Sequence, residues 1–119
     1  MGKRVKEFDD FRRRMNERLL AEDNRVIKRV FSVDSLTYQD GALPAKTKEL
    51  LGLTASMVLR CDDCVSYHIG QCIASGCSKD EIVEAMSVAL VVGGTIVIPH
   101  LRRAVAFMDE LLADKKRRR

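Results

Sequence analysis

Apolar residues recur at spacings of three and four along most of this chain. Val5, Phe8, Met15 and Leu19 share one stripe with Arg12, and Phe11 and Leu20 widen it, which predicts an amphipathic helix. A second, short helix is expected over Asn24 to Val33, using Val26, Ile27, Val30 and Phe31. Gly41-Ala42-Leu43-Pro44 then punctuates the chain, with Pro44 suited to a first turn, and a third helix runs from about Pro44 to Arg60. The fourth starts near Asp62 and stops at Gly76, a residue that ends helices well because it tolerates positive φ. Ser78-Lys79-Asp80-Glu81 has the form of a capping box and opens a fifth. From Ile82 to Val92 that helix is apolar on nearly every side, so burial on all sides is expected. Gly93-Gly94 ends or bends it, Ile96-Val97-Ile98 is ambiguous between strand and helix, and a last helix continues from Pro99 through Leu101, Val105, Met108 and Leu112. The expected fold is all-α, a compact bundle of about six helices.

With 119 residues and 46% hydrophobic content, one helical domain over residues 1–114 is expected. So small a chain has few neighbours with which to cover an all-apolar helix, which predicts a homo-oligomer. The formal charge of +4 comes from the end of the chain: Lys115 to Arg119 are all basic, and the rest carries 16 Lys+Arg against 17 Asp+Glu. Residues 115–119 are expected to be a solvated, disordered tail, with no nucleic-acid partner, since no aromatic residues are interleaved with the charges. The start does not look like a secretory signal, and Lys6 stands where a myristoylation signal needs Ser or Thr. The longest near-apolar run, Ala85 to Ile98, is too short to span a bilayer. These features predict a cytoplasmic protein with no membrane partner.

All four cysteines, Cys61, Cys64, Cys72 and Cys77, fall within one 17-residue window, which favours chemistry over structural cross-links in a cytosolic chain. The run Cys61-Asp62-Asp63-Cys64-Val65-Ser66-Tyr67-His68 adds a histidine four residues after the second cysteine. On a helix Cys64 and His68 stand at i and i+4, which brings a base within reach of a thiol. Cys61 and Cys64 lie at the helix start, where free N–H groups and the dipole lower a thiol pKa. Asp62 and Asp63 work against this if they lie close. Glu49 precedes Cys61 by 12 residues, about 18 Å of straight helix. If the chain reverses near Arg60 to Asp62, Glu49 comes level with His68 and can exchange a proton with it. Otherwise it is a surface glutamate paired with Lys46 or Lys48. Cys61, Cys64, His68 and Cys72 also read C-x2-C-x3-H-x3-C, so a zinc or iron–sulfur site is the rival reading, although one helix rarely closes a tetrahedral site. Cys72 reads more simply as a small buried hydrophobe, Cys77 as packed or exposed, and His100 as a cap or surface residue.

Lys48-Glu49-Leu50, Cys61-x-x-Cys64-x-x-x-His68, Gly76, Ser78, Glu81-Ile82 and Gly93-Gly94 together resemble the AhpD-like branch of the carboxymuconolactone decarboxylase family, over about Leu43 to Gly94. The resemblance implies an all-helical AhpD-like fold assembled into trimers or hexamers, with no cofactor. It also implies reduction of alkyl hydroperoxides. Cys64 would attack the peroxide, Cys61 would resolve the sulfenic acid to a disulfide, and His68 and Glu49 would relay the proton. The sequence does not name the reductant: a thioredoxin-like protein, a lipoyl protein and a low-molecular-weight thiol all remain open. One position departs from the pattern: Asp63 stands where AhpD proteins often carry a second histidine. Decarboxylases of the same family generally lack the CxxC pair, so its presence argues against lactone decarboxylation.

Overall fold

The computed structural model describes residues 1–118 and contains six α-helices: α1 (Lys3–Ala21), α2 (Arg25–Thr37), α3 (Ala45–Val58), α4 (Asp62–Ala74), α5 (Lys79–Gly93) and α6 (Ile98–Arg117). A single 3₁₀ turn, Thr95–Val97, joins α5 to α6, and no strand occurs among the described residues. The fold is therefore all-α, as its periodicity predicts.

The helix starts are written in the sequence. Asn24 caps α2 by accepting from the Ile27 N–H, and Ser78 and Glu81 form the reciprocal capping box of α5. α2 runs four residues past the predicted end, to Thr37. α6 runs through Arg117, so the segment expected as a disordered tail is helical that far; Arg119 lies outside the described residues. Lys115, Lys116 and Arg117 form the last turn of α6, where positive charge suits the helix dipole.

The core is the meeting of α3, α4, α5 and α6. Leu53 and Met57, Val65 and Ile69, Ile82 and Met86, and Ala104 and Met108 supply its centre, each essentially removed from water. α1 docks on α6 through Val5 and an edge-to-face pair, Phe8 on Phe107, with ring centroids 5.5 Å apart. Glu110 of α6 accepts from the free Arg4 and Val5 N–H groups and so holds the start of α1 in place. α2 lies outside this core and buries no residue.

The expectation that α5 is buried all round does not hold within one chain. Ile82, Met86 and Ala89 face the core, whereas Val83, Val88, Val91 and Val92 face outward. The neighbouring helices cover one side of α5 only. α2 shows the same excess, with Val26, Val30, Val33 and Leu36 all exposed.

Candidate functional site

The chain reverses between α3 and α4 in three residues, Leu59 to Cys61. The Arg60 N–H donates to the Met57 carbonyl and the Cys61 N–H to the Ser56 carbonyl, both at 3.0 Å, with Arg60 at φ 59°. This is a Schellman closure with arginine at the left-handed position. It leaves Cys61 as the N-cap of α4, with its sulfur accepting from the Cys64 N–H at 3.3 Å. Cys61 and Cys64 are joined as a disulfide, their Cα atoms 5.3 Å apart. Cys64 is exposed and Cys61 half-buried.

The reversal makes α3 and α4 antiparallel and brings Glu49 level with His68. Glu49 Oε2 stands 2.9 Å from His68 Nδ1, with both residues buried. Of the two readings open for Glu49, this is the internal one. Lys46 instead pairs with Glu81, and the Lys48 ammonium donates to the carbonyls of Thr37 and Gln39. Lys48 thereby pins the α2–α3 connection that carries Tyr38. Gly52, one turn along α3 from Glu49, makes the approach possible. A Cβ at this position would lie 2.6 Å from His68 Cε1, well inside van der Waals contact.

With the Glu49 carboxylate as acceptor, His68 Nδ1 carries the hydrogen and Nε2 keeps its lone pair. The Tyr38 hydroxyl lies 3.4 Å from Nε2 and can donate to it. The Tyr67 ring stands edge-on to the imidazole, and the Arg12 guanidinium lies 4.2 Å above the Tyr67 ring. Burial, assisted by the Asp34 and Glu49 carboxylates, pushes the Tyr38 phenol up, so it keeps its proton. The Tyr67 phenol is also pushed up, again chiefly by burial. Sequence reasoning missed both tyrosines. Tyr67 had a signal in its place beside His68; Tyr38, thirty residues upstream, belonged to no motif.

A cleft of about 830 Å³ opens over this group, with Cys64, His68 and Tyr67 in its lining. Phe8, Phe11, Met15 and Leu19 of α1 make its apolar side. At the α4 end, Asp62 is held by α6: His100 Nδ1 lies 2.7 Å from one carboxylate oxygen and Arg103 Nη1 3.4 Å from the other. His100 is thus the partner of Asp62, which corrects its reading as a cap or surface residue.

The other two cysteines are elsewhere. Cys72 and Cys77 are free thiols buried at the far end of α4. Burial pushes both thiols up, Cys72 most, with the neighbouring Cys77 adding to the effect. Among the described residues no three His, Cys, Asp or Glu side chains converge to hold a metal. The C-x2-C-x3-H-x3-C spacing therefore does not gather into one ligand set: Cys72 faces the core, and His68 turns Nδ1 to Glu49. Among the described residues, no helix is long and apolar enough to cross a membrane.

Known proteins place this architecture. An uncharacterized protein of Cupriavidus necator is 32% identical over 75 residues, 63% of this chain and 66% of that one. An uncharacterized protein from the cox locus of Paracoccus denitrificans is 28% identical over 80 residues, 67% of this chain and 72% of that one. The chain thus spans about two-thirds of the length of these curated relatives. A Thermotoga maritima crystal structure superimposes with a TM-score of 0.91 at 54% identity, covering 94% of this chain and 98% of that one. A second crystal structure of the Thermotoga protein gives 0.89 at 52% identity over 93% and 94% of the two chains; an involvement in antioxidative response has been suggested for that Thermotoga carboxymuconolactone decarboxylase family protein. A Legionella pneumophila carboxymuconolactone decarboxylase family protein shares the fold at 19% identity, with a TM-score of 0.84 over 92% of this chain and 97% of that one. The sequence profile of the carboxymuconolactone decarboxylase family matches residues 25–107, from α2 to near the middle of α6, and the chain belongs to that family.

Proposed function

We propose that this protein is an AhpD-type dithiol peroxidase that reduces organic hydroperoxides. The observation that carries the reading is an exposed Cys64, disulfide-linked to Cys61 at a helix N-terminus, one helical turn from a buried Glu49–His68 pair. In the reduced protein, His68 Nε2 accepts the Cys64 proton, directly or through water. The Cys64 thiolate attacks the peroxide, the O–O bond breaks, and the departing alkoxide takes a proton from His68 to leave as an alcohol. Cys64 is then a sulfenic acid. The Cys61 sulfur attacks it, the S–S bond forms and water leaves. A dithiol protein, thioredoxin-like or lipoyl, returns two electrons and two protons by disulfide exchange. Glu49 holds the imidazole in its tautomer, and the Tyr38 hydroxyl donates to Nε2 while its lone pair is free and accepts from it once the Cys64 proton has moved there. The apolar side of the cleft favours a hydrophobic hydroperoxide over hydrogen peroxide. The CxxC pair supports this reading over lactone decarboxylation.

The protein acts as a homo-oligomer, a trimer or hexamer. The exposed stripes on α2 and α5 are the support, since single chains rarely leave such rows uncovered. A monomer by analytical ultracentrifugation would rule this out.

The test is stopped-flow oxidation of the reduced protein by cumene hydroperoxide, with thiols counted before and after. Two thiols lost per chain, and sulfenic acid trapped on Cys64 in the Cys61→Ser variant, are the expected results. Oxidation no faster than that of a free thiol overturns the proposal.

A further inference from the structure

Asp62 has no part in the steps above, yet it sits in their midst. It is the first residue of α4, between the two redox cysteines, and the only acidic side chain there with ion-pair partners among the described residues. A carboxylate suits a helix N-terminus, but it opposes a thiolate formed on Cys61 or Cys64 within the same turn. Two basic side chains from another helix answer it. His100 and Arg103 stand three residues apart on α6 and take one Asp62 oxygen each. Arg103 also lines the cleft beside Cys64, and its Nη1 is steadied by the Pro99 carbonyl at 3.4 Å. The remaining charged groups lining the cleft are Arg4, Glu7 and Arg12 from α1, Asp34 from α2 and Asp63 from α4.

We propose that His100 and Arg103 are positioning residues which neutralise Asp62 and thereby set the thiolate stability and the dithiol–disulfide equilibrium of Cys61 and Cys64. Resting on the dithiol reading, this adds that the redox balance is tuned from α6, by residues that hydrogen-bond to Asp62 and to neither sulfur. Left alone, Asp62 would destabilise the thiolates, favour the disulfide and slow attack. Clamped from α6, Asp62 opposes a thiolate less strongly, which favours the reduced state. The clamp also ties α4 to α6, so a purely structural role is the competing account. The two differ in sign: charge effects reverse when the charge removed is reversed, whereas loss of a tether does not.

The experiment equilibrates purified protein against glutathione buffers under mildly acidic conditions, where an imidazole can be charged, and follows thiolate absorbance across a pH series. His100→Gln and Arg103→Gln are expected to raise the Cys64 thiol pKa and shift the equilibrium toward disulfide by roughly threefold to tenfold each. Asp62→Asn is expected to shift it toward dithiol, and Arg103→Lys to stay near wild type. Circular dichroism confirms that each variant is folded. A shift under about twofold in both glutamine variants, or an Asp62→Asn shift in their direction, overturns the proposal. No hydroperoxide enters the measurement, so a protein without peroxidase activity can still satisfy it. A Cys61–Cys64 pair that does not exchange with glutathione at all overturns the dithiol reading and this inference together.

Discussion

At each end of α4 a corner closes with the same two backbone hydrogen bonds and carries a pair of cysteines. At the N-terminal corner the donors are Arg60 and Cys61; at the C-terminal corner they are Gly76 and Cys77, reaching the carbonyls of Ile73 and Cys72. The sulfur chemistry diverges because the surroundings do. Cys64 faces a cleft at the positive end of the helix dipole, with His68 one turn away and His100 and Arg103 on Asp62. Cys72 and Cys77 lie at the negative end among Leu53, Ile69 and Ile82 and their neighbours, where burial holds the protons on. Spacing marks Cys61 and Cys64 as the candidate pair but does not set how either pair reacts. Dipole sign, water access and a positioned base do.

Substituting one cysteine at each end tests this contrast most severely. Cys64→Ser is expected to abolish hydroperoxide-dependent thiol loss, whereas Cys72→Ser leaves its rate near wild type and lowers stability by about 1–3 kcal/mol, because a hydroxyl would be buried there. Peroxide kinetics and urea melts on both variants read the two effects. Disabling the residue that orients the base comes next: Glu49→Gln is expected to slow oxidation by roughly 10²-fold through loss of the histidine's orientation, with Cys64 still titratable by a thiol reagent. Gly52→Ala pushes a methyl against the imidazole, and should cost about 1–3 kcal/mol and displace His68 in the NMR spectrum.

The corners themselves make a fourth test. Arg60 occupies the left-handed region at φ 59° at a cost that glycine would not incur, so Arg60→Gly is expected to stabilise the protein by up to about 1 kcal/mol. Gly76 sits at φ 90°, and Gly76→Ala should destabilise by about 1–2 kcal/mol. The smallest effect is alkaline. The folded state raises the Cys72 pKa above its ordinary value of 9.0, so above that pH the unfolded chain loses a proton the folded chain keeps. Its contribution is complete below pH 9.0 and fades as pH rises further, and Cys72→Ala should flatten that limb of a stability–pH curve.

The sequence announces what local rules govern. The capping box at Ser78, the glycine stop at Gly76, the Pro-marked start of α3 and the CxxC-His stripe follow from spacing alone. Glu49 was legible as a candidate but not as a partner, because its two readings depended on a reversal that an arginine makes at Arg60. An αL arginine carries no signal of the kind glycine gives. Tyr38, His100 and Arg103 escaped for another reason: the first stands at the end of α2 and the other two on α6, and only packing brings them to α4. The all-round apolarity of α5 is plain in the sequence, but which side the chain itself covers is not, and one chain covers just one of them.

The empty place on Gly52 has a consequence for descent. Imidazole and glycine fill a single volume between α3 and α4, so positions 52 and 68 are not free to vary separately. A lineage that lets position 52 grow must first give up the histidine or part the helices. One that loses the histidine releases position 52 to any small apolar residue. Among diverging relatives of this chain the two should be kept together or surrendered together, with glycine at 52 serving as a marker of which copies still handle protons at Cys64.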